Sequence, residues 1–323
     1  MKIYLKALFI TGLIIFLVAC GDSNTESSHD QTNEIPDEPF AAEELPEQFL
    51  DDHFKAIYNQ TSDLFQENVS WKEFEGLGED FNKGVQDYEL MSEISVEELV
   101  EYQWIDNEGD KGIQASFADD NTIEGLLLAP ITSYPESDEK YTKNTYQMPI
   151  SREWFTYWGG TNELVNYHYA VESQRYAYDL LIFENDVTHE GDPKDNESYY
   201  AFGEDIVAPQ EGVVVSTENN IDDNTPTVDT NEEKPLGNHV ILEHEHNEYS
   251  VIAHFQKGTV EVNEGDTVNA GDVLGLVGNS GNSSEPHIHF HVADDSDWEK
   301  ASSIRIKFEN GENPVRGDLV DGY

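Results

Sequence analysis

The chain has 323 residues, with 67 acidic against 17 basic side chains and a formal net charge of −50. That imbalance excludes charge-driven binding to nucleic acid or another polyanion, and self-repulsion favours solubility. Cys20 is the single cysteine, so no disulfide forms within the chain and the fold must rest on apolar cores or a bound metal.

At the N-terminus, Lys2 and Lys6 flank the start of an apolar run from Ala7 to Ala19. It is too short for a stable membrane span and reads as a secretory signal. Its end, Leu17-Val18-Ala19-Cys20, resembles the lipobox of bacterial lipoproteins. The resemblance implies a signal peptide over residues 1–20 and lipidation of Cys20. It also implies a chain anchored to the membrane by that lipid, on the outer face of the bacterial cytoplasmic membrane. Residues 21–45 are rich in Ser, Asn, Asp, Glu and Pro, and read as a disordered tether.

From about residue 46 the texture changes. Leu45, Phe49, Leu50, Phe54, Ile57, Tyr58, Phe65 and Phe74 recur largely at three- and four-residue spacings, with Ser70 as a helix N-cap before Trp71. Strand-like runs follow at Leu99 to Ile105, Ile113 to Phe117 and Ile123 to Ile131. Residues 46–132 therefore predict a small α+β domain, in which nothing has catalytic spacing. The charged stretch 133–149 reads as a linker. Residues 150–323 read as an all-β domain of antiparallel sheets forming a groove: short Val, Ile, Tyr and Phe runs are divided by Gly, Asn, Asp and Pro. Gly265-Asp266 and Gly271-Asp272 flank a predicted hairpin. The acidic stretch Glu218 to Lys234 reads as an exposed insertion loop, and His239, His244 and His246 as surface positions.

Pro286-His287-Ile288-His289-Phe290-His291 is the most informative segment. On a strand, the three histidines project from one face. A row of imidazoles is an unusual core and a common zinc site, because neutral imidazole nitrogen is a preferred Zn²⁺ ligand. Thirty-odd residues upstream, His254 follows Val251-Ile252-Ala253. Together with the glycine-rich turns between them, and with Gly203-Glu204-Asp205-Ile206-Val207-Ala208-Pro209 before them, these residues resemble the core of the lysostaphin-type (LytM-like) zinc metallopeptidases. The resemblance spans roughly residues 165–295.

It implies a zinc metalloendopeptidase acting on the peptides of bacterial peptidoglycan, with one Zn²⁺ per chain and a zinc-activated water as nucleophile. It also implies His289 as a metal ligand, and His254 and His287 as catalytic residues off the metal that act as general acid and base. His291 would stand behind the metal or in solvent. In Tyr176-Ala177-Tyr178-Asp179-Leu180-Leu181, Asp179 takes the place of the family's aspartate ligand. The family's remaining ligand is a histidine four residues earlier, where this chain has Arg175, and a guanidinium has no lone pair for a metal. His168, eleven residues before Asp179, supplies the missing imidazole if Glu172 to Arg175 fold back. The Tyr-His-Tyr…Gln-Arg-Tyr-Ala-Tyr-Asp layout resembles a divergent branch of the family. The expected metal set is His168, Asp179 and His289. The alternative is a metal-free homologue that binds peptidoglycan or activates a hydrolase, and Arg175 is the residue that favours it.

Overall fold

The apolar spacing between Leu45 and Phe74 folds as four short helices, α1 (Leu45–Leu50), α2 (Phe54–Gln60), α3 (Asp63–Asn68) and α4 (Trp71–Asn82). They belong to the first of two compact units in a computed structural model that describes residues 39–323, with the division between Ile131 and Thr132. Cys20, the signal segment and the tether up to residue 38 lie outside the described residues. Ser70 starts α4 with a capping box: its hydroxyl accepts from the Glu73 amide at 3.4 Å, and the Glu73 carboxylate accepts from the Ser70 amide at 3.0 Å. Behind the helices lies an antiparallel sheet of four strands in sequence order, β1 (Tyr88–Val96), β2 (Leu99–Asp106), β3 (Lys111–Phe117) and β4 (Ile123–Pro130). Leu45, Phe49, Ile57 and Phe74 share one core with Trp104 and Ile113 of that sheet.

The second unit opens with the short helix α5 (Pro135–Asp138) and is otherwise β. Its strands are β5 (Trp154–Trp158), β6 (Tyr178–Leu181), β7 (Asp205–Val207), β8 (Gly212–Glu218), β9 (Asn238–His244), β10 (Glu248–Phe255), β11 (Thr267–Val268), β12 (Val273–Leu276), β13 (Ile288–Ala293), β14 (Ser303–Ile304) and β15 (Leu319–Val320). The main sheet runs β11-β8-β9-β10-β13-β6-β5-β15, with β14 also on β13, and β12 pairs with β7 in a separate ribbon. An all-β unit thus follows a small α+β unit.

Alternation along β13 decides which face carries chemistry. Ile288, Phe290 and Val292 are fully buried in the main core with Leu180, Leu242 and Ile252. Burying such side chains stabilises by about 1.5–3 kcal/mol each. A one-residue slip would drive histidines into that core instead, so the register is firmly set. His289 and His291 project from the opposite face.

Three expectations need correction. Residues 133–149 are not a linker, because Tyr146 and Met148 are buried in the core of the second unit. The expected hairpin after Gly265 does not form: β11 pairs with β8, and β12 pairs with β7. The Asn263–Asp266 and Asn269–Asp272 segments are instead two separate turns, each closed by an aspartate accepting from the asparagine amide. His244 is not on the surface but buried, between the Glu211 carbonyl and the Ser250 hydroxyl.

Candidate metal centre

Strand pairing brings Asp179 of β6 directly opposite His289 of β13, and His289 opposite Ala253 of β10. Directly paired residues share a face, so Asp179 and His289 meet on the side away from the core. The Nδ1 atom of His289 lies 2.9 Å from one Asp179 oxygen.

His168 reaches the same carboxylate from a loop. Asn166 fixes that loop: its side-chain oxygen accepts from the His168 amide at 3.1 Å, starting a 3₁₀ turn over Tyr167–Ala170. Its side-chain amide donates to the carbonyls of Gly160 and Ala177, at 3.1 and 3.0 Å. Because Ala177 stands just before β6, one asparagine ties the turn to the strand bearing Asp179. The fold-back places His168 Nε2 2.9 Å from the other Asp179 oxygen. His168, Asp179 and His289 are all buried, with their ligand atoms within 4.8 Å of one another. The Tyr167 hydroxyl, 3.4 Å from Asp179, closes one side.

Arg175 does not compete for this place. Its guanidinium stacks 3.6 Å from the centre of the Tyr134 ring and donates to the Tyr169 carbonyl and the Ser137 hydroxyl. It is a structural cation holding the α5 segment. Arg175→His is therefore expected to cost about 1–3 kcal/mol through the lost cation–π contact and hydrogen bonds, with no gain in metal affinity. Thermal melting and zinc titration of that variant check both halves.

His254 and His287 stand beside the trio, their rings 4.7 Å apart. His254 sits where the β9–β10 register shifts between Ala253 and Phe255, and its φ of 69° is left-handed. Such a conformation is costly outside glycine, of order 1–3 kcal/mol, and turns the ring toward the His289 face. Its Nδ1 lies 2.8 Å from the Ser280 carbonyl, and His287 Nδ1 lies 2.8 Å from the Glu285 carbonyl. A carbonyl only accepts, so both rings carry a proton on Nδ1, and the neutral form of each has its lone pair on Nε2. His287 Nε2 is 3.8 Å from Asp179.

Ser280 is placed by a close backbone approach. A side chain at Gly237, whose φ is +59°, would meet the Ser280 carbonyl group at 2.4 Å, and one at Gly281 would meet the Gly237 nitrogen at 2.4 Å. The stretch Glu218 to Lys234, expected as an exposed insertion, braces the same turn. Asp223 accepts from the Asn279 amide, and the Asn224 side chain donates to the carbonyls of Gly281 and Ser283.

Electrostatics match a cation site. Burial alone would raise the Asp179 pKa, but the surrounding imidazoles of His168, His287 and His289 outweigh it and hold the carboxyl well below its ordinary range. Burial pushes His289 down, and burial together with the neighbouring His287 and His289 rings pushes His254 well down. Asp179 is thus held ionised and burial disfavours the charged form of His289 and His254, the direction that metal ligation requires of carboxylate and imidazole. Two nitrogens and one carboxylate oxygen fit the protein donor set of catalytic zinc. Beyond the expected residues, the structure adds Gln174, whose side-chain oxygen lies 3.1 Å from His168 Nδ1, and of the two places expected for His291 it gives the one behind His289, 2.9 Å from His289 Nε2. Each faces the outward nitrogen of one of the two histidines that flank Asp179. No spacing rule marks Gln174, since its role depends on the fold-back of the loop.

Residues 198–300 match peptidase family M23. That segment includes His254, His287 and His289, whereas His168 and Asp179 precede it. No curated protein matches the chain. Among solved structures, the catalytic domain of lysostaphin, an antimicrobial peptidase from Staphylococcus simulans, is 16% identical, covering 47% of this chain and 88% of its own, with a TM-score of 0.28. A zinc-containing peptidase from Vibrio cholerae is 13% identical over 68% of this chain, with a TM-score of 0.27, and this chain spans 55% of its length. The catalytic domain of a prophage-encoded M23 protein from Enterococcus faecalis is 20% identical, over 39% of this chain and 92% of its own, with a TM-score of 0.24.

Proposed function

We propose that this chain, whose residues 198–300 form a domain of peptidase family M23, is a zinc-dependent endopeptidase that hydrolyses peptide bonds in bacterial peptidoglycan. The observation that carries this reading is the convergence of His168, Asp179 and His289 beside two histidines whose Nδ1 atoms are held by backbone carbonyls. His168 through Nε2, His289 through Nδ1 and Asp179 through a carboxylate oxygen would hold the ion. Zinc so held supplies Lewis acidity, lowering the pKa of water to about 7 and polarising the scissile carbonyl.

The protein's own groups perform the proton transfers. The lone pair of His254 or His287 Nε2 removes the proton of the attacking water, and the same ring then donates it to the leaving amine. The backbone carbonyls of Ser280 and Glu285 hold both rings in that tautomer throughout. After the first transfer, an imidazolium beside Asp179 is favoured by the carboxylate charge, so the ring stores its proton without leaving the site.

The metal-free alternative drew its support from Arg175. With the guanidinium committed to Tyr134 and an imidazole in its stead at Asp179, Arg175 no longer supports that alternative. Lipidation of Cys20 and attachment to the outer face of the cytoplasmic membrane complete the proposal, placing the enzyme beside its substrate.

The deciding experiment is metal analysis of protein purified without chelator, paired with digestion of purified cell walls. About one zinc per chain and release of new peptide amines are expected; protein free of metal would refute the reading. His254→Ala and His287→Ala should each keep zinc and lose about 10²–10⁴-fold in rate, because they remove proton transfer and leave the ligands. Loss of zinc from either variant would move that histidine into the ligand set.

A further inference from the structure

His291 is the one member of the histidine row to which the proposed chemistry gives no task. It is fully buried, on β13 opposite Val251, and its Nδ1 lies 2.9 Å from His289 Nε2. Its own Nε2 is buried with no hydrogen-bond partner among the described residues. A histidine kept for packing alone normally has both nitrogens satisfied, and an unpaired buried polar group costs about 1–3 kcal/mol. An apolar residue here would avoid that cost and extend the adjoining cluster of Ile241, Val251 and Ala253. The single polar contact of His291 is therefore what the cost is borne for, and that contact is with a metal ligand.

We propose that His291 is a positioning residue that holds the metal ligand His289 in one tautomer and one orientation through an Nε2–H···Nδ1 hydrogen bond. The inference rests on the reading of His289 as a ligand. When His289 gives the Nδ1 lone pair to a metal, its proton must sit on Nε2, and an acceptor there fixes ring and tautomer together. His291 Nδ1 is that acceptor, which leaves the proton of His291 on its own Nε2. His168 has the parallel arrangement with the Gln174 side-chain oxygen. Both ligand imidazoles are thus backed by neutral acceptors, and Asp179 remains the one anion in contact with the pair. A carboxylate in the place of His291 would put a second buried anion behind the site.

The geometry of the side chain supplies its own control. Asparagine places an amide oxygen close to the position of a histidine Nδ1, whereas glutamine reaches the position of Nε2. His291→Asn should retain zinc affinity close to wild type in a chelator competition, and the visible spectrum of the cobalt(II) form should be unchanged. His291→Gln and His291→Ala should each lose about 10–100-fold in affinity, the usual cost of removing such a partner. Equal affinity and equal spectra across all four proteins would overturn the inference, as would equal losses in Asn and Gln variants of matched melting temperature. A measurement on the wild type needs no variant. In ¹⁵N-labelled zinc-loaded protein, His289 Nε2 should be the protonated nitrogen, with a scalar coupling across the hydrogen bond to His291 Nδ1. A proton on Nδ1 of His291 in that state overturns the inference. Wild-type protein that binds no zinc refutes the metallopeptidase reading itself, which is a different result from variants that bind as well as wild type.

Discussion

Asp179→Ala is expected to abolish both zinc binding and hydrolysis of cell walls, the largest effect of any single substitution in this protein. Asp179 is the hub: one oxygen faces His168, the other faces His289, and His287 stands 3.8 Å away. Without the carboxylate, the site offers two neutral nitrogens and no charge to offset a divalent ion, too little for stable zinc. Activity should fall to background, since the Lewis acid leaves with the ligand. His168→Ala and His289→Ala should approach the same floor, because residues that act as one unit do not contribute additively. Stability behaves differently. In metal-free protein, Asp179→Ala strips two buried imidazoles of a partner, at about 1–3 kcal/mol for each group left unsatisfied. Asp179→Asn retains hydrogen-bonding capacity and should recover part of that loss while still failing to bind zinc. Metal stoichiometry, cell-wall digestion and thermal melting separate these effects. Full zinc occupancy in Asp179→Ala would refute the assigned site, and full occupancy in His168→Ala would remove its third ligand.

His168 shows how far the sequence could be read. The alternation of His287, His289 and His291 with Ile288, Phe290 and Val292 predicts a strand with a buried face and a chemical face, and the structure has them for His289 and His291, with His287 standing just before β13. Asp179, an acid isolated among apolar residues, belongs to the same kind of pattern. Arg175 in a ligand position poses a chemical contradiction, and the search for a second imidazole leads to His168. The means by which His168 arrives is invisible to periodicity. It depends on Asn166, a polar residue whose hydrogen bonds run to carbonyls six and eleven residues away. The ring direction of His254 was equally hidden, because a left-handed residue at a register shift breaks the simple alternation on which strand reading rests. The stretches read as linker and insertion were misjudged for a related reason. Charge and low apolar content suggest exposure, yet Tyr146 and Met148 enter the core, and Asp223 and Asn224 bind backbone that apolar pattern cannot see.

Mild acid should destabilise the fold strongly, well before the carboxylates titrate. Burial lowers the pKa of His239, His244, His254, His289 and His291, against an unfolded value near 6.5. With the folded pKa below the unfolded one, the unfolded chain binds more protons as pH falls. The stabilisation is then fully present above about pH 6.5 and is lost progressively below it. A ring contributes at most about 1.4 kcal/mol per pH unit over the range in which it stays neutral in the fold and is protonated in the unfolded chain. The large negative charge pulls the other way, since protonating carboxylates relieves repulsion, but carboxylates near pKa 4 contribute little in this window. Melting of zinc-free protein from pH 7.5 to 5.5 should therefore show a falling midpoint, and a flat or rising midpoint would contradict the argument. His244 separates the fold from the site, because it is bound to Glu211 and Ser250 rather than to any metal ligand. In His244→Asn the side-chain amide still donates to the Glu211 carbonyl and cannot titrate. That variant should melt with a shallower pH slope and an unchanged zinc content, showing that part of the acid sensitivity is a property of the buried histidines rather than of the metal.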